Sequence, residues 1–145
     1  MKIKDLIRSK GYEVIAVDVD TSVADAIVKM VERNIGALLV LEDGAPKGMF
    51  TERDVLKCWA SSGDSFRDTH VSQFMSKDIL IAELDDDLSY AMSIMIQRKL
   101  RHLPVLDRGK VVSVLSIRDV VKAQVSNLQA EMHYLKDYIT DKYPT

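Results

Sequence analysis

Apolar and polar positions follow two periods along this chain, and one succession of periods occurs twice. YEVIAV (12–17) is β-branched and apolar, the composition of a strand. Val23, Ala26, Ile27, Met30 and Val31 then fall at the i, i+3, i+4, i+7, i+8 spacing of one helical face, with Thr21 or Ser22 placed to cap it. ALLVL (37–41) is the continuous apolar run of a buried strand. EDGAP (42–46) follows as a tight turn in which Gly44 is expected at positive φ, and KGMF (47–50) is its partner strand. A second helix opens at Thr51.

Residues 82–122 repeat this order against 17–57 at a constant offset of 65 with no gap. Identities include Asp20/Asp85, Met30/Met95, Arg33/Arg98, Gly44/Gly109, Arg53/Arg118 and Asp54/Asp119, and most other positions pair apolar with apolar. The second copy carries its own turn at DRG (107–109). Each copy reads as strand, helix, strand, strand, helix, and about 45 residues cannot bury such a sheet alone. The expected fold is therefore α/β in the α+β sense: two βαββα repeats packed about a pseudo-two-fold axis. Repeat 1 is placed at 1–61, a polar linker at 62–70, repeat 2 at 71–122 and a helical extension at 123–145. DLI (5–7) and VSQFM (71–75) read as equivalent lead-in turns.

The extension has no counterpart in the first copy. Val121, Val125, Leu128, Met132, Leu135 and Ile139 are spaced 4, 3, 4, 3 and 4, a heptad seam. It would pack either on its own domain or on a second chain; its length exceeds what one short helix needs to cover, and a homodimer is the expectation. Pro144 fits the helix end.

Composition narrows the function more than the fold. Of 145 residues 47% are hydrophobic and 29% charged, ordinary for a soluble globular protein. A net charge of -2 gives no broad basic surface, which argues against nucleic acid. The first residues hold neither a signal peptide nor a membrane span. A single cysteine, Cys58, fits a reducing compartment, so a cytoplasmic location is expected. No nucleotide-binding glycine fingerprint and no metal-ligand spacing among His70, His102 and His133 is present, and Cys58 has no recognisable histidine partner in sequence, so no enzyme is expected. Met30, Met49, Met75, Met92 and Met95 fall on apolar stripes or strands as core filler.

With the repeat established, GMFTERD (48–54), SVLSIRD (113–119) and RHLPVLD (101–107) resemble the tandem CBS-domain pair, the module named after cystathionine β-synthase, over nearly the whole chain. The resemblance implies a regulatory, non-catalytic module whose two clefts take adenosine-type ligands such as AMP, ADP, ATP, NAD or S-adenosylmethionine. It implies that the motif Asp holds the ribose hydroxyls, that the nearby Thr or Ser serves ribose or phosphate, and that flat homodimers form. Carried over by position, one cleft combines Thr51, Arg53 and Asp54 with Asp78, Leu80, Leu100, Arg101 and His102. The other combines Ser116, Arg118 and Asp119 with Glu13, Ile15, Ile35, Gly36 and Ala37. An adenine nucleotide is then the regulatory ligand and an unidentified effector protein the partner; the alternative is a dimerising scaffold with vestigial clefts.

TERD also reads as a plain capping box, Thr51 at the N-cap with Asp54 three residues on. Cap and site can share residues, because a helix N-terminus favours anions and a carboxylate can accept from a ribose diol. Arg53 and Arg118 lie where the helix dipole disfavours cations, which points to an anion nearby or to surface ion pairs. Arg101 and His102, opposite Gly36 and Ala37 of the first copy, make the Asp54 cleft the expected phosphate binder. Leu39 in place of Pro104, and Ser113 in place of Gly48, are departures that weigh against the Asp119 cleft.

Overall fold

The computed structural model describes residues 1–140; residues 141–145, with Pro144, lie outside the described residues. The chain forms the two βαββα repeats with mixed sheets and a long C-terminal helix. Helix α1 (Ile3–Lys10) precedes β1 (Ala16–Asp18), α2 (Val23–Arg33), β2 (Ala37–Glu42), β3 (Ala45–Thr51) and α3 (Glu52–Ser62). Two 3₁₀ turns, Gly63–Asp68 and Val71–Gln73, lead to β4 (Ala82–Glu83), α4 (Leu88–Arg98), β5 (His102–Asp107), β6 (Lys110–Ser116) and α5 (Ile117–Thr140).

Each sheet has three strands, in the orders β1-β2-β3 and β4-β5-β6. β1 and β4 run parallel to their neighbours, across a helical crossover, and each remaining pair is an antiparallel hairpin. Positive φ at Asp43 and Gly44, and again at Arg108 and Gly109, defines two-residue turns whose twist matches the strands. The hairpin register sets the start of one strand opposite the end of the next, pairing Ala37 with Thr51 and His102 with Ser116. Ser22 caps α2 by accepting the Asp25 N–H at 3.1 Å.

The lead-in segments are exchanged between repeats. Ile3, Leu6 and Ile7 of α1 are buried in the core of the second repeat, among Leu88, Met95, Leu103 and Leu115. Val71 is buried in the core of the first, among Val23, Leu38, Val40 and Phe50. At about 1.5–3 kcal/mol per fully buried large aliphatic side chain, α1 contributes as much to its host core as a strand residue set would. Backbone bonds seal both ends of the exchange: Ile3 and Lys4 donate to Asp86 and Leu84, while Val71 donates to Thr21 and Val23 to Thr69. This reciprocity is what an approximate two-fold relation between the repeats produces.

The two lead-ins differ in form. DLI belongs to a two-turn helix rather than a turn, whereas VSQ is a single 3₁₀ turn. Ile3 and Val71 make the corresponding bonds from positions 68 apart, to acceptors Asp86 and Thr21 that are 65 apart, so the α1 segment is longer by three residues. Those residues complete the helix and carry Lys10 to the edge of β6. Cys58 is fully buried in the first core; burial pushes its thiol pKa up, partly offset by a hydrogen bond with Thr69.

Candidate ligand clefts at the two hairpin ends

Each motif occupies the junction where a hairpin strand runs into a helix, so its carboxylate is fixed before any ligand arrives. Asp54 Oδ2 accepts the Thr51 N–H at 2.9 Å and the Thr51 hydroxyl at 3.2 Å, and the Asp54 N–H returns to Thr51 Oγ1 at 3.4 Å. Asp119 Oδ2 accepts the Ser116 N–H at 3.0 Å, and Ser116 Oγ accepts the Asp119 N–H at 3.0 Å. The capping boxes are thus present in both copies. In each, the bonds among the described residues fall on Oδ2 and leave Oδ1 unengaged. Arg53 and Arg118 are exposed on the first turns of α3 and α5, without an ion pair among the described residues.

The residues expected across each cleft are tied by backbone to the motif of their own repeat. Glu52 donates its N–H to Gly36 O at 3.0 Å, and Ile117 donates to Arg101 O at 2.8 Å. His102 lies with Lys10, Arg101 and Asp119: burial first, then the two cations, hold its pKa below the ordinary value, opposed by the Asp119 charge. Hence, within each repeat, Gly36 and Ala37 adjoin Thr51–Asp54, and Arg101 and His102 adjoin Ser116–Asp119. The physical reason is the hairpin register, which joins each strand start to the motif at the end of its partner. β3 and β6 approach one another between the repeats.

Glu13 and Asp78 form equivalent ion pairs, with Arg33 at 3.4 Å and with Arg98 respectively. Both pairs are exposed, and each joins the segment before the first strand to the helix of its own repeat. The sequence contained the signal, since Arg33/Arg98 is one of the 65-residue identities and both partners are acidic. Ile15 and Ile35 pack on the first core and Leu80 on the second, while Leu100 donates its N–H to Met95 O in closing α4. These apolar residues wall the hairpin ends rather than supply polar contacts.

Sequence reasoning missed Lys10. Its Nζ donates to Asp119 Oδ2 at 2.6 Å and to Val114 O at 2.8 Å, reaching the second motif from α1. Burial raises the Asp119 pKa, but the Lys10 bond and the two Ser116 bonds outweigh it and hold the carboxyl below the usual range. In the first repeat the carbonyl equivalent to Val114 is that of Met49, and it accepts instead from the Ser76 N–H at 2.9 Å, with Met49 N–H returning to Ser76 O at 3.0 Å. A Cβ on Gly48 would stand 2.5 Å from Ser76 O, so only glycine admits that backbone. Ser113 occupies the matching position in the second repeat, fully buried, with its Oγ lacking a partner.

Two sheet-and-helix repeats that exchange their lead-ins, each ending a hairpin in a capped carboxylate, define a tandem-repeat module. A CBS-domain sequence profile matches residues 3–61 and 71–126, and the chain belongs to the CBS-domain family, whose members are non-catalytic regulatory modules. The chain is 31% identical over 150 residues to the CBS domain-containing protein CBSX3, mitochondrial, of Arabidopsis thaliana, covering 97% of this chain and 73% of that one. It superposes on the crystal structure of a CBS-domain containing protein from Agrobacterium tumefaciens with a TM-score of 0.78 at 35% identity, covering 86% of this chain and 99% of the other. CBSX2, crystallised in complex with AMP, is similar at 25% identity and a TM-score of 0.70, over 86% of this chain and 96% of that structure. CBS pairs in related structures bind adenosine-type ligands. Among the described residues no helix is long and apolar enough to cross a membrane, and no cluster of His, Cys, Asp or Glu could hold a metal.

Proposed function

We propose that this chain is a nucleotide sensor, taking an adenosine-type ligand at Asp54 and, under a further condition, at Asp119. The observation that carries the reading is the division of labour within each carboxylate: Oδ2 is held by the cap, and Oδ1 is left to accept from a sugar diol. Thr51 and Ser116 stand at helix N-termini, where free amides and the dipole favour a phosphate. Asp54 makes no ion pair among the described residues, so its cleft is the first to fill. Occupancy shifts the packing between repeats only by the ligand's difference in affinity for two arrangements.

Calorimetry with AMP, ADP, ATP, NAD and S-adenosylmethionine tests this. Stoichiometric binding by at least one of the five, with the Asp54 site and only that site lost in Asp54→Asn, which retains the capping acceptor, is the expected result. No binding by any of them overturns it and leaves the scaffold reading.

A second observation favours assembly alongside sensing. Val121, Val125, Leu128, Met132, Leu135 and Ile139 are all exposed in the single chain, from 39% at Val121 to 73% at Ile139, so the seam does not pack on its own domain. We infer that it joins α5 to a second copy as a homodimer. Sedimentation of the wild type should give a dimer and Leu128→Glu with Leu135→Glu a monomer; an unchanged dimer in the variant would remove α5 from the interface.

A further inference from the structure

Lys10 is the cation that closes on a motif aspartate. Its ammonium bonds Asp119 Oδ2 and Val114 O and has a third donor to spare. Both partners of the ion pair keep about a third of their side-chain exposure, 34% for Lys10 and 35% for Asp119, so the pair lies at the mouth of the hairpin end, within reach of a ligand. Arg101 and His102 complete the surroundings. Lys10 is thus the cation that meets the carboxylate, while Arg101 acts on the neighbouring His102. Among the described residues Asp54 has no ion-pair partner, and its hairpin end adjoins Gly36 and the carboxylate side chain of Glu52.

We propose that Lys10 sets the ligand selectivity of the Asp119 cleft, favouring nucleosides that carry an anionic group over uncharged ones. The inference rests on the nucleotide reading above and deepens it. A neutral ribosyl group that takes Asp119 Oδ1 can leave Lys10 on Oδ2, but it covers a partly exposed ion pair and gives the ammonium's third donor no anion to meet. A ligand with a phosphate meets both halves of the pair: its diol takes Asp119 Oδ1 and its phosphate takes the third donor of the ammonium, a charge-assisted bond. The Asp54 cleft, without this toll, accepts both kinds of ligand. One chain then holds a permissive cleft and a charge-selective one. The N-terminal helix, seated in the second core by Ile3, Leu6 and Ile7, carries the selecting residue.

The test titrates adenosine and AMP into the full chain carrying Asp54→Asn, which silences the first cleft, with Lys10 intact or replaced by Lys10→Met. Methionine keeps the length of the stem and removes the charge. With Lys10 intact, AMP should bind and adenosine should be much weaker. Lys10→Met should change adenosine binding by no more than about fivefold, the upper worth of a partly exposed ion pair. It should weaken AMP by about tenfold, the lower end for a hydrogen bond to a charged group. Lys10→Arg should keep the preference for AMP. An AMP-to-adenosine ratio that Lys10→Met leaves unchanged overturns the role of Lys10 while leaving nucleotide binding in place. Failure of both probes on every variant, together with the wild type's failure to bind any of the five ligands, overturns the nucleotide reading and this inference with it.

Discussion

The two hairpin ends begin from nearly the same sequence and finish with different chemistry, and the difference traces to one glycine. At β3, Gly48 lets the Ser76 backbone approach closely enough to pair with Met49 in both directions. At β6, Ser113 carries a Cβ where that approach needs none, and Val114 O is served by the Lys10 side chain from a lead-in three residues longer. A backbone bond carries no net charge, whereas an ammonium does. The second copy has therefore acquired a cation at its motif aspartate as a by-product of how its sheet edge is satisfied. Duplicated modules can diverge in ligand chemistry without any change in the motif itself.

The largest break in this comparison should come from Gly48→Ser, which puts the second copy's residue into the first. With 2.5 Å between the new Cβ and Ser76 O, the segment after the 3₁₀ turn must move off β3. A loss of about 1–3 kcal/mol is expected, the cost of overpacking a fitted contact. Urea denaturation measures it, and hydrogen exchange should show the Ser76 and Met49 amides losing protection together. A variant as stable as the wild type would mean that the bridge is not what the glycine serves.

The reciprocal change is smaller and opposite in sign. Ser113 Oγ is buried with no partner, a placement that costs stability for as long as the hydroxyl is there. Ser113→Ala removes the hydroxyl and keeps the Cβ, so it should stabilise by about 1 kcal/mol. A destabilised variant would show that the hydroxyl makes a contact worth keeping. The Lys10–Asp119 pair should survive in it, since the Cβ that holds the chain off β6 is unchanged.

Much of this arrangement is legible in the order of residues. The helix faces, both two-residue turns with their glycines, the capping boxes and the duplication follow from spacing alone, because each depends on residues close in sequence. The exchange of lead-ins is not legible, since nothing in Ile3, Leu6 and Ile7 says which of two similar cores they enter. The hairpin neighbours of Gly36, Ala37, Arg101 and His102 are hidden for another reason. Counting outward from the turns would pair 37 with 50 and 102 with 115; a one-residue bulge in each hairpin shifts the partners to 51 and 116, which sets each strand start beside the motif of its own repeat. Lys10 escapes because it precedes residue 17, where the 65-residue correspondence starts, in a segment whose extra residues break the offset. The seam on α5 is visible in the sequence as a stripe, and only the fold shows that its own domain leaves it uncovered.

The finest test of the asymmetry is a titration, because His102 reports on the cations beside it. Burial, Lys10 and Arg101 hold the folded-state pKa of His102 below its ordinary value of 6.5, with Asp119 opposing. The unfolded chain then binds the proton first as pH falls through that ordinary value, and the folded state resists it. Stability due to His102 is therefore fully present above about pH 7.5, and declines as the pH falls from the unfolded value towards the folded one. Below the folded value both states are protonated and the slope vanishes. Denaturation at pH 7.5 and 5.5 should show a stability difference in the wild type that is reduced in His102→Gln; an equal difference in both would place His102 in an ordinary aqueous setting. An NMR titration of His102 sharpens this further. Lys10→Met removes one of the two repelling cations and releases the Asp119 charge, and both changes raise the histidine pKa. The corresponding loss of charge at Arg53, on the other hairpin end, should leave it where it was. A His102 titration that ignores Lys10→Met would place the ammonium elsewhere in solution and remove the electrostatic difference between the two clefts.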